Sequence, residues 1–139
     1  FYKTKFLVGG RERTLSDIEE NTLRAGFREP RIHFAIVCAS VGCPWLRRTA
    51  YTEANVEAEL ELAAREFFAQ ERNAKMDAAR RTVRLSSIFK WFERDFGPDE
   101  AARLRFIAGY LPAHTAALAS GKWKLEFVEW DWSLNDALR

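Results

Sequence analysis

The chain has 139 residues, with 22 Lys and Arg against 20 Asp and Glu, and the net charge of +2 is too small to predict a nucleic acid or an anionic membrane as partner. A hydrophobic share of 47% with a charged share of 30% excludes a disordered composition, and no apolar run reaches the roughly 18 to 20 residues of a membrane-spanning helix. At this length a single domain over residues 1–139 is expected, and an aromatic share of 14% predicts large rings in the core or around a pocket.

Lys5 to Val8 and Arg11 to Leu15 read as the strands of a hairpin turned by Gly9-Gly10. Ser16-Asp17-Ile18-Glu19 reads as a capping box that opens a helix, with Leu15 as its hydrophobic staple and Gly26 as its stop. After the boundary at Pro30, the apolar run Ile32 to Cys38 predicts a central strand covered on both faces. Small residues from Ala39 to Gly42 make a tight loop, and Cys43-Pro44 reads as a helix entry with Pro at the first helical position. From Thr52 to Arg72 the residues Val56, Leu60, Ala63, Ala64, Phe67 and Phe68 follow helical spacing.

Thr82 to Leu85 alternates as a strand, and Ser86 or Ser87 caps a helix carrying Ile88, Phe89, Trp91 and Phe92 that Gly97-Pro98 ends. A helix through Leu104, Ile107 and Leu111 precedes Pro112, and a short helix follows from His114 to Ala119. Gly121 breaks that helix, and Trp123 to Trp132 forms a final strand. Interleaving without regular βαβ spacing predicts an α+β fold, with a small, mainly antiparallel or mixed sheet packed against about five helices.

Several ordered blocks carry a resemblance. Thr14-Leu15-Ser16-Asp17-Ile18-Glu19, Pro30-Arg31-Ile32-His33-Phe34-Ala35, Cys38-Ala39-Ser40 and Cys43-Pro44 resemble the DUF547 family, a domain of unknown function. Leu85-Ser86-Ser87-Ile88-Phe89-Lys90-Trp91 with Asp95-Phe96, and Trp130-Asp131-Trp132-Ser133-Leu134-Asn135, are similar to that family's later blocks. The family has no settled activity. Its bacterial members often look exported, which implies a periplasmic or secreted location, and its plant members join the domain to a leucine-zipper-like region. Members generally carry an upstream helical block of the form Phe-Trp-Ile-Asn-x-Tyr-Asn-Ala, which this sequence is expected to lack.

The chemistry expected of the sequence centres on Arg31 to Pro44. A cysteine set at a helix N-terminus by the Pro after it meets unsatisfied amides and the positive end of the helix dipole, so Cys43 is expected to favour the thiolate. His33 is the candidate base, with Glu19, Asp95 or Asp131 to orient it, and amides near Cys43 are expected to form the oxyanion site. The bland alternative makes Cys43 a buried cap and His33 a hydrogen-bonded core residue. In the predicted strand His33 faces away from Cys38, so Cys38 reads as a buried apolar-like residue or as half of a Cys38–Cys43 disulfide, which would remove the nucleophile.

Zinc would require His33, Cys38, Cys43 and a carboxylate at a spacing unlike the usual patterns, so no metal is expected. Without a Gly-rich phosphate loop or a nucleophile elbow, no cofactor is expected either, and His114 reads as a surface residue. Arg24 and Arg31 either bind a ligand carboxylate or pair with Glu19 and Asp95 to hold the fold. Cys38, Ser40, Trp91 and Asp131 complete the expected binding set, and Trp91, Trp130 and Trp132 read as core or groove walls.

Two functions follow. One is a thiol-dependent hydrolase or acyltransferase on a peptide-like amide or thioester, with Cys43 attacking and His33 as base. The other is a non-catalytic module that binds a small molecule, peptide or protein through the Arg31 to Pro44 surface.

Overall fold

A computed structural model of the chain describes residues 1–120 and 122–136. β1 (Lys5–Val8) and β2 (Arg11–Thr14) pair antiparallel, Val8 opposite Arg11, across the turn predicted at Gly9 and Gly10, whose φ values of 58° and 75° suit a hairpin turn. The chain then enters a continuous helical run made of α1 (Leu15–Asp17), a π-helical stretch (Ile18–Arg24) and α2 (Ala25–Phe27). Its cap is Thr14, whose hydroxyl accepts the Asp17 N–H at 3.0 Å, so the helix begins ahead of the predicted Ser16 cap. It ends at Arg28, which turns left-handed with φ 51°, beyond the predicted stop at Gly26.

The predicted central strand over Ile32 to Cys38 is replaced by a short 3-10 helix, Pro30–Phe34. Proline at its start presets φ, the Glu29 carboxylate accepts the Arg31 N–H at 2.9 Å, and the Ala35 and Ile36 amides both turn back to the Ile32 carbonyl. Ile32, His33 and Phe34 are all buried, so an unbroken apolar run is as well explained by a buried turn as by a two-sided strand. The helix predicted to open at Cys43-Pro44 is also absent, and the next helix is α3 (Val56–Phe68). Arg72 donates to the Val41 and Cys43 carbonyls, and the amides of Val41, Gly42 and Cys43 bond to Ser133, Asp131 and Ser40 carbonyls. Those backbone groups are therefore taken by partners that a helix would have to displace.

α3 buries Leu60, Ala63, Ala64, Phe67 and Phe68 on one face, as their spacing predicts. β3 (Ala74–Asp77), β4 (Thr82–Leu85) and β5 (Lys124–Phe127) form the second sheet, β4 antiparallel to β3 and parallel to β5. β3 was not predicted, and β5 covers only part of the predicted Trp123 to Trp132 strand. Between β4 and β5 lie α4 (Ile88–Trp91), α5 (Glu93–Phe96), α6 (Glu100–Tyr110) and α7 (Thr115–Ala119). Asp99 caps α6 by accepting the Ala102 N–H at 2.7 Å. The break predicted at Gly121 lies outside the described residues.

The core is a cluster of phenylalanines from different elements, with ring centroids 4.6 Å apart for Phe34 and Phe67 and 4.4 Å apart for Phe89 and Phe96. The fold is one α+β domain with two small sheets, and among the described residues no helix is long and apolar enough to cross a membrane.

Candidate functional site

A cavity of about 560 Å³ opens against this core, and His33, Cys38, Cys43 and Glu19 all line it. Aromatic rings supply much of the remaining wall, among them Trp91, Phe92 and Trp130.

One wall is built around His33, only 3% exposed, which the 3-10 turn carries into the core beside Phe34. Its ring stacks on Phe92 with centroids 4.0 Å apart, and its Nε2 lies 2.8 Å from Asp95 Oδ2 on α5. Asp95 also accepts from Arg24 through Nε at 2.6 Å and Nη2 at 3.2 Å, a bidentate pair, while Arg24 Nη1 reaches Glu20. Burial pushes the His33 pKa down, and the attraction of Asp95 does not reverse it, so the ring is neutral near pH 7. Burial acts to raise the Asp95 pKa, but the bonds from Arg24 and His33 hold it below the usual carboxylate range. A neutral ring facing an ionised carboxylate places its proton on Nε2 and leaves Nδ1 as an acceptor. Nδ1 has no hydrogen-bond partner among the described residues, and the one buried side-chain polar atom without a partner among them is Tyr51 Oη, so Nδ1 is not sealed from solvent.

The other wall is a sulfur pair. Cys38 and Cys43 are free, with sulfurs 2.9 Å apart. Cys38 is exposed and Cys43 is only 4% exposed. The Cys38 N–H donates to Cys43 Sγ at 3.1 Å, and Ser40 Oγ lies 3.4 Å from each sulfur. Trp130 Nε1 donates to Ser40 Oγ at 2.9 Å, which leaves the Ser40 hydroxyl proton for a sulfur. Burial acts to raise the Cys38 pKa, yet hydrogen bonds from Cys43, the Ser40 hydroxyl and the Ser40 amide outweigh it and the thiol lies below its ordinary value. No helix begins at Cys43, so the sulfur does not meet the positive helix end expected there, and the donors around the sulfurs come from the loop.

Among the described residues no hydrogen bond joins His33 to either sulfur, although ring and sulfurs line one cavity. Glu19 lines the same cavity, and its carboxylate makes no hydrogen bond or ion pair among the described residues; burial first, and then Glu20, raise its pKa. Arg24 pairs with Asp95 as one expectation had it, but with Glu20 rather than Glu19, and it borders a separate hollow shared with Arg28 and Arg94. Arg31 is held by Glu29 at 2.7 Å, Glu57 at 2.8 Å and Glu61 at 3.5 Å, a structural role with partners that were not foreseen. Asp131 lies behind the sulfur loop, where its carbonyl accepts the Gly42 N–H, and it does not line the cavity.

Two features had no local signal in the sequence. Phe92 stacks on His33 across a long chain separation, and Trp130 secures Ser40, a contact that only tertiary structure creates. No set of three or more His, Cys, Asp or Glu side chains is arranged to hold a metal ion among the described residues.

No curated protein and no solved structure gives a significant match to this chain. The family described as "Protein of unknown function, DUF547" matches residues 1–68, so the later blocks around Trp91 and Trp130 lie beyond the match. The segment that carries Glu19, His33, Cys38 and Cys43 lies within the residues that match the DUF547 family.

Proposed function

We propose that the chain is a thiol-dependent hydrolase or acyltransferase for an amide or thioester of a peptide-like substrate, with the sulfur pair as nucleophile and His33 as general base. The observation that carries this reading is that the sulfurs and the Asp95-anchored imidazole line one cavity. Cys38 is the exposed sulfur and the one whose ionised form the loop favours, so attack comes from Cys38, with Cys43 as its hydrogen-bond partner.

In the proposed reaction His33 Nδ1 takes the Cys38 thiol proton as the sulfur adds to the carbonyl carbon, and collapse expels an amine or thiol that leaves with that proton from the resulting imidazolium. Water, or an acceptor amine in a transferase, then attacks the resulting thioester while His33 Nδ1 takes its proton, and collapse breaks the carbon–sulfur bond, releases the acid or amide product and returns the proton to the departing Cys38 sulfur. Free structures often hold such groups apart until substrate binds, which accommodates the missing His33–sulfur bond. The amides of Val41, Gly42 and Cys43 are engaged within the fold, so the oxyanion donor moves to Ala39, whose N–H has no partner among the described residues.

The non-catalytic binding module is favoured by a different observation, the separation of His33 from both sulfurs. Iodoacetamide labelling against pH, with acetylation by p-nitrophenyl acetate mapped by mass spectrometry, separates the two. Catalysis predicts Cys38 labelling well below an ordinary thiol pKa of about 8.5 and an acetyl group on Cys38 whose formation slows about 100-fold in His33→Gln. Labelling that starts only near that ordinary value, with no acetyl-enzyme, leaves the binding module.

A further inference from the structure

Among the described residues the cavity holds one acidic side chain, Glu19, and no Lys or Arg side chain lines it. That carboxylate has no hydrogen-bond or ion-pair partner among the described residues, whereas Asp95, Glu20 and Glu29 nearby are each matched by an arginine. Arg24, the guanidinium that acts on Glu19 from outside the cavity, is itself matched by Glu20 and Asp95. An unmatched carboxylate facing an apolar space stays ionised at a cost that a cation in the same space would remove.

The aromatic wall answers the same ligand. Trp91, Trp130 and Trp132 form one cluster, with ring centroids 4.9 Å apart for Trp91 and Trp130 and 5.7 Å apart for Trp91 and Trp132. Trp132 is 69% exposed and Trp91 46% exposed although both are large rings, so these two are not filled into the core, while Trp130 packs against it. Tryptophan is the ring on which a desolvated cation gains most, and an aromatic lining with one counter-charge is the arrangement that holds organic ammonium groups. The molecule already uses the interaction, since the Arg24 guanidinium lies 4.8 Å from the Phe92 ring centroid.

We propose that the cavity binds an organic cation, an amine or quaternary ammonium group carried on an apolar body, with Glu19 as counter-ion and the Trp91, Trp130 and Trp132 rings as its cation–π wall. The inference adopts the cavity of the proposed function as the site, and it requires no reaction at sulfur. The volume of about 560 Å³ falls in the range of small-molecule sites and admits a body larger than the cationic head alone.

The test is a titration of the Cys38→Ser protein, so that thiol chemistry plays no part, with benzyltrimethylammonium and with neopentylbenzene, its uncharged isostere. Indole N–H chemical shifts and tryptophan fluorescence report binding. The cation is expected to bind about 10-fold more tightly than the isostere, a preference that Glu19→Gln reduces to less than about 3-fold. Trp132→Leu, at an exposed ring whose loss leaves the core intact, is expected to weaken the cation more than the isostere. Equal affinity for the two probes, an unchanged preference in a folded Glu19→Gln protein, or no binding of the cation overturns the proposal. Failure of Cys38 to label or acetylate leaves these affinities unaffected and bears on the proposed function alone.

Discussion

His33 reaches the cavity from a turn whose neighbours Ile32 and Phe34 are packed into the aromatic core, whereas Cys38 and Cys43 reach it from a stretch outside regular secondary structure, tied to residues 131–135 and to Arg72. The imidazole is held by stacking and by an ion-paired carboxylate, the sulfurs by hydrogen bonds to loop amides and one hydroxyl. Packing in a core is rigid, and hydrogen bonds along a stretch without regular secondary structure open more readily. The comparison teaches that the imidazole is the fixed wall of the cavity and the sulfur stretch the adjustable one, so in the proposed reaction the adjustment falls to the sulfurs.

The strongest way to break the contrast is to loosen the fixed wall from below. Phe34 is 1% exposed and its ring meets those of Phe67, Phe68, Phe89 and Phe96, so Phe34→Ala is expected to cost about 3 to 5 kcal/mol of stability by urea denaturation. Asp95→Asn attacks the same wall with a smaller effect. It leaves Arg24 short of a counter-charge and turns a charged hydrogen bond to His33 into a neutral one, a loss of about 2 kcal/mol. Cys38 labelling is expected to stay near the wild-type rate in Asp95→Asn, since no bond links that carboxylate to the sulfurs. A large change in labelling would show that the two walls move together.

The sulfur wall is probed at Gly42, where an added Cβ would lie 2.7 Å from the Cδ2 and Cε2 atoms of Trp130. Gly42→Ala must therefore push aside the indole that secures Ser40, at a cost near 1 kcal/mol, toward the lower end for overpacking because part of the ring faces solvent. Its signature is local: Cys38 loses part of its hydrogen-bond support, and the pH midpoint of labelling rises toward that of an ordinary thiol.

The same contrast decides what could be read from the residues alone. The Gly9-Gly10 hairpin, the Val56 to Phe68 helix face and the Thr82 to Leu85 strand were legible because turn chemistry and periodicity are local. The run from Ile32 to Cys38 misled because continuous hydrophobicity reports burial and not backbone shape; the Pro30 start and Glu29 cap, both local, carried the correct signal. Cys43-Pro44 looked like a helix entry, but the backbone groups after Cys38 are engaged by Arg72 and by residues 131–135, distant partners with no imprint on local sequence. Glu19, His33, Cys38, Cys43 and Trp91, which line the cavity, were visible as candidates by chemical type. Their grouping was not, since Asp95 meets His33 and Trp130 meets Ser40 only through the fold.

The smallest expected effect is a pH dependence that separates the walls by window. The folded-state pKa of His33 lies below its ordinary 6.5, so as pH falls the unfolded chain binds this proton before the folded one. The stability contributed by the neutral, buried ring is complete above about 6.5 and is lost as pH drops below it, with a slope of at most about 1.4 kcal/mol per pH unit for one proton. Asp95, also depressed, adds its own loss only further toward acid, below its ordinary 3.8. Glu19 has a raised pKa and works in the opposite sense, gaining stability on protonation, so the His33 contribution is read as the difference between wild type and His33→Gln rather than from one curve. Cys38 is depressed too, but its contribution develops on the alkaline side, between its folded value and that of an ordinary thiol, and solvent weakens it because the side chain is exposed. Urea denaturation across neutral to mildly acidic pH is therefore expected to show an acid loss that His33→Gln flattens and Cys38→Ser leaves in place. If Cys38→Ser removes the acid loss instead, sulfur and imidazole share a proton in the resting protein, and the fixed and adjustable walls are one titrating unit.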